Sequence, residues 1–486
     1  MTSLHPAGPI PASPRVRGRP HVRRVTIEGC RSPAGSPGTA LGQPAPHAPD
    51  ETLPPTVPPH RRPFPSKLFV EVTTRCNLQC AMCVKQAAGQ GLVEGDMTAQ
   101  TFARLAPAFP YLDALVLNGI GEPMLHRGLE EFIELAKGAM PASGWVGFQT
   151  NGQLLGRRRA ESLVAAGVDR ICISADAVEP DQLRALHGGA RLGAIESAAE
   201  WLHEAAGRHG RPVSLGLEFV AMRSNLNQLP ELVRWAAGHG FGFLIVSHML
   251  PYDAAMAGEA AFSPTSDRAL EIYRTWRDRA AAEGVDFGRY LDTFMQISPS
   301  PEDARAIHFV RSMIADAAAR NVSLKVAELL RFDERRLQDV EESFGSAKAV
   351  AQELGVDLQL PNTVPTQVRR CEFVEDGSAF VSWDGDLHPC YFLWHRFQCH
   401  LAGLVKGVQP WTFGNVANRG ILDTWNADEW RSFRGDVTAY DFPFCYDCNL
   451  ALCDYVADGD FEQDCHISKV PCAACLWCTG PFQCLR

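Results

Sequence analysis

Three cysteines fall within the stretch "TRCNLQCAMCVK", at Cys76, Cys80 and Cys83. Their C-x3-C-x2-C spacing puts three thiols on one short loop with no fourth close by. A structural zinc site and an ordinary iron–sulfur cluster each take four protein ligands. Three thiolates hold a metal centre and leave one position for a ligand from outside the chain. On spacing alone, a zinc site with a distant fourth ligand is the alternative. A second segment, "NGIGEP" (Asn118–Pro123), carries two glycines that let backbone approach a ligand closely. Its carboxylate, Glu122, can meet a cationic group of that ligand. "TNG" (Thr150, Asn151, Gly152), Ser174 with Asp176, and Glu218 with Met222 and Asn225 offer further polar groups. Taken singly, such tripeptides are more often strand-end turns, and Asn225 reads first as a turn or cap residue.

These groups share one kind of position. "KLFVEVTT" reads as a buried strand that ends at the cysteines. "ALVLNG", "WVGFQTNG", "RICISAD", "SLGLEFVAM" and "FGFLIVSHML" read as five more, and helical patterns follow most of them. Alternating strands and helices predict a parallel α/β sheet, full or partial barrel, whose chemistry sits at the strands' C-terminal ends. Each candidate residue lies just past such an end. Cys172 lies inside a strand among apolar neighbours and reads as core.

Around this unit the texture changes. Residues 1–65 hold sixteen of the 34 prolines and eight arginines, which predicts a disordered, mildly basic tail. Cys30 is alone there. Residues 66–252 form the barrel, residues 253–366 read as a helical insert, and residues 367–486 are cysteine-rich and aromatic. Eleven of the sixteen cysteines lie in that last part. No apolar h-region marks the N-terminus, so a reducing cytoplasm is expected, and metal ligation accounts for the thiols better than disulfides. No apolar run approaches ~20 residues, so no membrane span is expected. The formal charge of −10 argues against nucleic acid as a partner.

The C-x3-C-x2-C after the first strand, with Gly-x-Gly-Glu-Pro after the second, resembles the radical S-adenosylmethionine (radical SAM) superfamily. The resemblance implies that Cys76, Cys80 and Cys83 ligate three irons of a [4Fe–4S] cluster. The fourth iron is left for the amino and carboxylate groups of S-adenosylmethionine. One electron from the cluster cleaves the sulfonium, and a 5′-deoxyadenosyl radical takes a hydrogen atom from substrate. Gly119, Gly121 and Glu122 would hold the methionine amino group. Ser174 would contact the cosubstrate, with Asp176, Thr150 and Asn151 as nearby polar contacts. Met82 stands where an aromatic residue is usual.

The C-terminal part is similar to the SPASM extension of that superfamily. Cys371, the G-x4-C spacing of Gly385 to Cys390, the Cys445/Cys448 pair, Cys453 and Cys465 carry the likeness. The gaps after Cys448 and Cys453 depart from the usual pattern, and Cys472, Cys475, Cys478 and Cys484 lie outside it. The implied cofactors are one or two auxiliary [4Fe–4S] clusters, with zinc knuckles as the alternative. Cys399 is the weakest candidate. The fold class expected is a partial (β/α)6 radical SAM barrel with a helical insert and a C-terminal cysteine-rich iron–sulfur domain. The segments "HRFQCHLAGLVKGVQPWTFGNV" and "DCHISKVPCAACLWCTGPFQC" resemble a subgroup that matures metalloenzymes. That implies a protein, peptide or metal-cofactor substrate in tungsten or molybdenum enzyme maturation, and a reductant such as ferredoxin or flavodoxin. A peptide-modifying SPASM maturase and a non-enzymatic iron–sulfur or zinc carrier are the alternatives. Asp384, Asp386 and His248 are candidate proton acceptors.

Overall fold

Six apolar segments pair in chain order into one sheet. They are β1 (Lys67–Val70), β2 (Ala114–Val116), β3 (Trp145–Thr150), β4 (Arg170–Ser174), β5 (Ser214–Ala221) and β6 (Phe243–His248). Each is parallel to the next, with registers such as Phe69 to Val116 and Ser174 to Glu218. Such strands are covered on both faces and need near-continuous apolar residues, which "KLFV" and "FLIV" supply. The helices between them present one apolar stripe. In Leu129–Lys137, Leu129, Phe132, Ile133 and Ala136 recur at helical spacing and are buried in the main core. Each large side chain so buried contributes about 1.5–3 kcal/mol. The computed structural model describes residues 57–87, 91–296, 298–448 and 462–485.

Three strands beyond the expected six join the same sheet. They are β7 (Asp357–Gln359), β8 (Ser378–Val381) and β9 (Leu387–His388), giving the order β7-β6-β5-β4-β3-β2-β1-β8-β9. Only β9 runs antiparallel. β7 falls within the expected insert, and β8 and β9 within the expected C-terminal domain. β8 lies directly beside β1, pairing Phe69 with Phe380. These strands are two to four residues long, too short for periodicity to reveal them. The C-terminal part is therefore built onto the edge of the barrel sheet. A two-stranded hairpin, β10 (Phe397–Leu401) and β11 (Leu404–Val408), stands outside it.

Residues 253–366 contain the helices Asp267–Ala282, Pro301–Ala319, Val326–Leu330 and Glu334–Leu354. Ser266, Ser300 and Asp333 cap three of them through their side chains, Ser300 in a reciprocal capping box with Asp303. Leu270, Ile272, Phe309, Val310, Met313 and Leu329 give this part a core of its own.

The expected tail gives way before residue 65. Pro59–Arg61 forms a 3-10 turn, and the Pro59 carbonyl accepts Arg434 Nε at 3.0 Å. Trp425 Nε1 donates to the Arg62 carbonyl at 2.9 Å, and Phe64 stacks on Tyr111. Proline-rich backbone lacks donors but keeps its carbonyls, and here side chains of the C-terminal part satisfy them. Residues 1–56, with Cys30, and Cys453 lie outside the described residues. The described residues from 57 onward group as one compact unit. No helix among the described residues is long and apolar enough to cross a membrane.

Candidate functional site

The cysteine loop leaves β1 through Glu71–Arg75 and is tied down on both sides. Thr74 N donates to the Gly95 carbonyl at 3.0 Å, and Gly95 N returns to Thr74 Oγ1 at 2.8 Å. Lys85 Nζ donates to the Thr74 carbonyl and pairs with Glu94 at 2.8 Å. Inside the loop, Cys83 N donates to the Cys80 carbonyl at 3.0 Å. The three thiols are partly buried rather than sealed. Burial pushes the Cys76 thiol up, and pushes Cys83 up to about 11. Both are therefore protonated at neutral pH until a metal cation displaces the proton.

The next loop packs onto the exit of β1. A Cβ at Gly121 would drive into the Thr73 carbonyl oxygen, and one at Gly119 into the Glu71 side chain. The two glycines are thus required by the approach of protein backbone and side chain, a nearer cause than the approach of a ligand. Glu122 is 2% exposed. Its Oε1 accepts Thr150 Oγ1 at 2.7 Å and Met124 N at 3.0 Å, and its Oε2 accepts Asn151 N at 2.7 Å. Burial raises its pKa despite those bonds. The carboxylate clamps the β2 loop to the β3 loop.

Asn151 lies beside the cysteines. Its Nδ2 donates to Asn77 Oδ1 at 2.9 Å and stands 3.9 Å from Cys76 Sγ. Ser174 ends β4, half-buried, in register with Glu218. Asp176 is 1% exposed and faces inward: Oδ1 accepts Val220 N at 2.7 Å, and Oδ2 lies 2.8 Å from His187 Nε2. His187 Nδ1 in turn lies 3.5 Å from Cys80 Sγ. Burial pushes the His187 imidazolium down, but Asp176 and Cys80 outweigh it and raise its pKa to about 10.

Sequence reasoning missed His187, Glu71, Gln149, Tyr391 and His395, and it named Asn118 and Glu218 without the bonds that join them inside the sheet. Tyr391 Oη donates to Asn118 Oδ1 at 2.6 Å, Asn118 Nδ2 to Gln149 Oε1, and Gln149 Nε2 to Glu218 Oε2. Burial, and the nearby Asp176 charge, raise Glu218 to about 7. Glu71 is fully buried; His395 Nε2 lies 3.1 Å from both its oxygens, and Ile120 N donates to it at 3.2 Å. A signal existed for Glu71 as for Glu218, since each interrupts an apolar strand run, "LFVEV" and "LGLEFV". For His187 it was a histidine followed by two glycines at a helix end. His248, by contrast, is sealed between Phe262 and Phe344, with Nε2 donating to the Asn362 carbonyl at 3.1 Å. Asp384 and Asp386 bind Ser382 and Asn415 within the turn before and at β9.

The C-terminal thiols separate into groups. Burial and the charges of Cys475, Cys371 and Cys390 raise Cys472 well above its ordinary value. Burial and Cys475 raise Cys371 to about 12, and Cys390 shares the same neighbours. Cys478 hydrogen-bonds Cys475 and lowers it. Five cysteines from two distant segments thus share one neighbourhood, Cys475 and Cys478 buried and Cys371, Cys390 and Cys472 half-buried, with Arg369 beside it. Cys445 N donates to the Ala473 carbonyl at 3.1 Å and Cys448 N to the Cys445 carbonyl at 3.3 Å, which brings that pair alongside. Cys465 is exposed. Cys484 faces Glu218 and Trp477, and burial raises it to about 12. Cys399 is a core residue of β10, and Cys172 of β4.

Residues 70–236 match the family model of the radical SAM superfamily, and residues 371–449 match that of SPASM, an iron–sulfur cluster-binding domain. The chain thus carries a radical SAM domain and a SPASM domain, and it is an enzyme. Among curated relatives it is similar to the tungsten-containing aldehyde ferredoxin oxidoreductase cofactor-modifying protein of Pyrococcus furiosus, 27% identical over 86% of this chain and 96% of that one. It is also similar to the GTP 3′,8-cyclase of Streptomyces coelicolor, 31% identical over 45% of this chain and 63% of that one. Among solved structures, Streptococcus suis SuiB bound to S-adenosylmethionine aligns over 76% of this chain and 68% of that one, at 14% identity and a TM-score of 0.44. The cofactors are a [4Fe–4S] cluster and S-adenosylmethionine in the first domain and auxiliary iron–sulfur clusters in the second. The residues present fit such groups: three thiols stand on one braced, partly open loop, and a second set of thiols, Cys475 and Cys478 buried among them, lies near a cation. Each iron of a four-iron cluster takes one thiolate, so the thiols need not converge on a single point.

Proposed function

We propose that Cys76, Cys80 and Cys83 hold the catalytic cluster, and that the enzyme modifies a protein, peptide or metal cofactor in metalloenzyme maturation. The observation that carries this reading is the cysteine loop itself. It is rigidly braced, it ends the first strand of a parallel sheet, and it leaves its thiols partly open to a cosubstrate. When bound, the cluster and S-adenosylmethionine supply one-electron sulfonium cleavage and hydrogen-atom abstraction. The chain's own part is placement. Gly119 and Gly121 let the β2 loop sit against the β1 exit, Glu122 locks it to Thr150 and Asn151, and Asn151 lines the edge beside Cys76. Ser174 serves as a cosubstrate contact at the end of β4. Asp176 acts from behind, through His187.

In the second domain, Cys371, Cys390, Cys472 and Cys475 are the ligands of one auxiliary cluster, with Cys478 tuning Cys475. Cys445, Cys448, Cys453 and Cys465 are ligands of a second. Cys484 stands at the inner face of the sheet. The extent of the likeness to the Pyrococcus furiosus protein, 96% of its length, supports a maturation substrate over a free metabolite. The reductant is a small ferredoxin or flavodoxin, and the setting is the cytoplasm.

The test is anaerobic. Iron- and sulfide-reconstituted enzyme is reduced, supplied with S-adenosylmethionine and assayed for 5′-deoxyadenosine, beside a Cys76/Cys80/Cys83→Ala variant. Nucleoside from the wild type alone, with iron retained in the variant, supports the reading. A wild type that holds its iron and never cleaves the cosubstrate would instead be a carrier of metal or electrons.

A further inference from the structure

The helix Pro180–Leu186 ends against the loop that bears Cys80. Ala81 N donates to the Leu186 carbonyl at 2.9 Å. Gly188, at φ +58°, lies so close to Gln79 that a Cβ on it would stand 2.5 Å from the Gln79 carbonyl oxygen. Between these two contacts sits His187, 4% exposed. Its Nε2 stands 2.8 Å from Asp176 Oδ2, an ion-pair distance without hydrogen-bond alignment, and its Nδ1 is 3.5 Å from Cys80 Sγ. Asp176 is itself held from the β5 side, through Val220 N to Oδ1 at 2.7 Å and Asn225 Nδ2 to its carbonyl at 3.1 Å. The three thiols are therefore not equivalent. Cys76 Sγ meets a backbone N–H, from Leu78 at 3.5 Å, and the Asn151 amide; Cys80 Sγ meets an imidazole backed by a carboxylate.

We propose that His187, oriented by Asp176, is a positioning residue that donates an Nδ1–H hydrogen bond to the Cys80 thiolate and so raises the reduction potential of the cluster which that thiolate ligates. The proposal rests on Cys76, Cys80 and Cys83 being the cluster ligands. Reduction adds negative charge that is shared by the ligand sulfurs, and N–H donors aimed at them favour the reduced state. The effect is enlarged because the donor is buried, where water does not compete for the sulfur. A carboxylate behind a histidine fixes the ring's orientation, as it does for histidines around metal sites. A purely structural account also exists, in which the ring only fills space between helix end and loop. The two accounts differ in what happens to the potential.

The experiment uses the full chain, reconstituted and poised at a series of potentials, and follows the electron paramagnetic resonance signal that changes on adding S-adenosylmethionine. That response separates the catalytic cluster from the auxiliary ones. In His187→Leu the reduced-to-oxidised ratio at a fixed poise is expected to fall at least tenfold, about 59 mV for one electron, with iron content unchanged. His187→Asn, whose amide can reach the place of Nδ1, recovers part of the loss, and Asp176→Asn lies between wild type and His187→Leu. Wild-type potentials in all three variants overturn the proposal. So does a His187→Leu protein that loses its iron while His187→Asn and Asp176→Asn titrate as wild type, since that outcome marks a packing residue. If the Cys76/Cys80/Cys83→Ala variant keeps the cosubstrate-responsive signal, the ligand reading itself is overturned, and that result is independent of any His187 variant.

Discussion

The two cysteine regions are built in opposite ways. Cys76, Cys80 and Cys83 come from one loop, lie partly open, and are held by contacts between that loop and its neighbours. Cys371, Cys390, Cys472, Cys475 and Cys478 come from segments about a hundred residues apart and share one neighbourhood, in which Cys475 and Cys478 are buried and the other three half-buried. The first arrangement suits a centre that must admit a cosubstrate. The second suits a centre that forms only once the chain has folded and that passes electrons, where nearby charge sets the potential. The difference teaches that thiol spacing reports function only for the single-loop site. For the assembled one, ligand identity is a property of the folded chain.

The sharpest way to break this comparison is to remove each region in turn. The Cys76/Cys80/Cys83→Ala variant is expected to lose 5′-deoxyadenosine formation to the assay background while keeping the auxiliary iron and the native circular dichroism spectrum. Cys371→Ala/Cys472→Ala is expected to lose one cluster's iron and to melt at lower temperature, because metal binding to a site assembled from distant segments is folding free energy. It keeps the cosubstrate-responsive signal of the first cluster. If Cys371→Ala/Cys472→Ala leaves iron and melting temperature untouched, the grouping of those thiols is wrong.

A smaller effect is expected at the brace that joins the β2 loop to the β1 exit and the β3 loop. Gly121→Ala forces a methyl into the Thr73 carbonyl, so the β1 exit must shift, at a cost of about 1–3 kcal/mol by the usual penalty for overpacking. Denaturant unfolding measures that loss, and the KM for S-adenosylmethionine should rise with it. Glu122→Gln leaves one of the three accepted bonds without its carboxylate oxygen. The loss is about 1–3 kcal/mol for an unsatisfied buried donor, again read by unfolding, with cluster iron retained.

The smallest is a pH effect where the sheet meets the C-terminal segment. Burial pushes His248 down to about 4 from its ordinary 6.5, and its backbone N–H donates to the Pro481 carbonyl at 3.3 Å. The unfolded chain binds a proton there between those two values while the folded chain does not. This group therefore makes stability rise with pH from about 4 to 6.5 and level off above. His248→Gln should flatten that part of the profile of melting temperature against pH, and an unchanged slope would show that the ring is not buried neutral.

Much of the barrel was legible because parallel strands carry long apolar runs and because chemistry gathers at their ends. The roles within the site were less so. Glu122 stood out in the sequence as a candidate carboxylate, while its bonds to Thr150, Asn151 and Met124, which come from two loops, did not. His187 lies more than a hundred residues from Cys80, and nothing local in "LHGGA" announces that contact. Tyr391 and His395 reach Asn118 and Glu71 from the opposite end of the chain.

What the sequence determined by itself was the three-thiol loop, its place after a buried strand, and the alternation that makes the sheet parallel. These follow from spacing and periodicity, which are local properties of the chain. Only the tertiary structure decided which thiols of the C-terminal part stand together, that β8 lies against β1, and that an Asp176–His187 pair backs Cys80. Such contacts join residues far apart in the chain. Burial and hydrogen-bond satisfaction select them once the core has closed, and no short pattern carries that information.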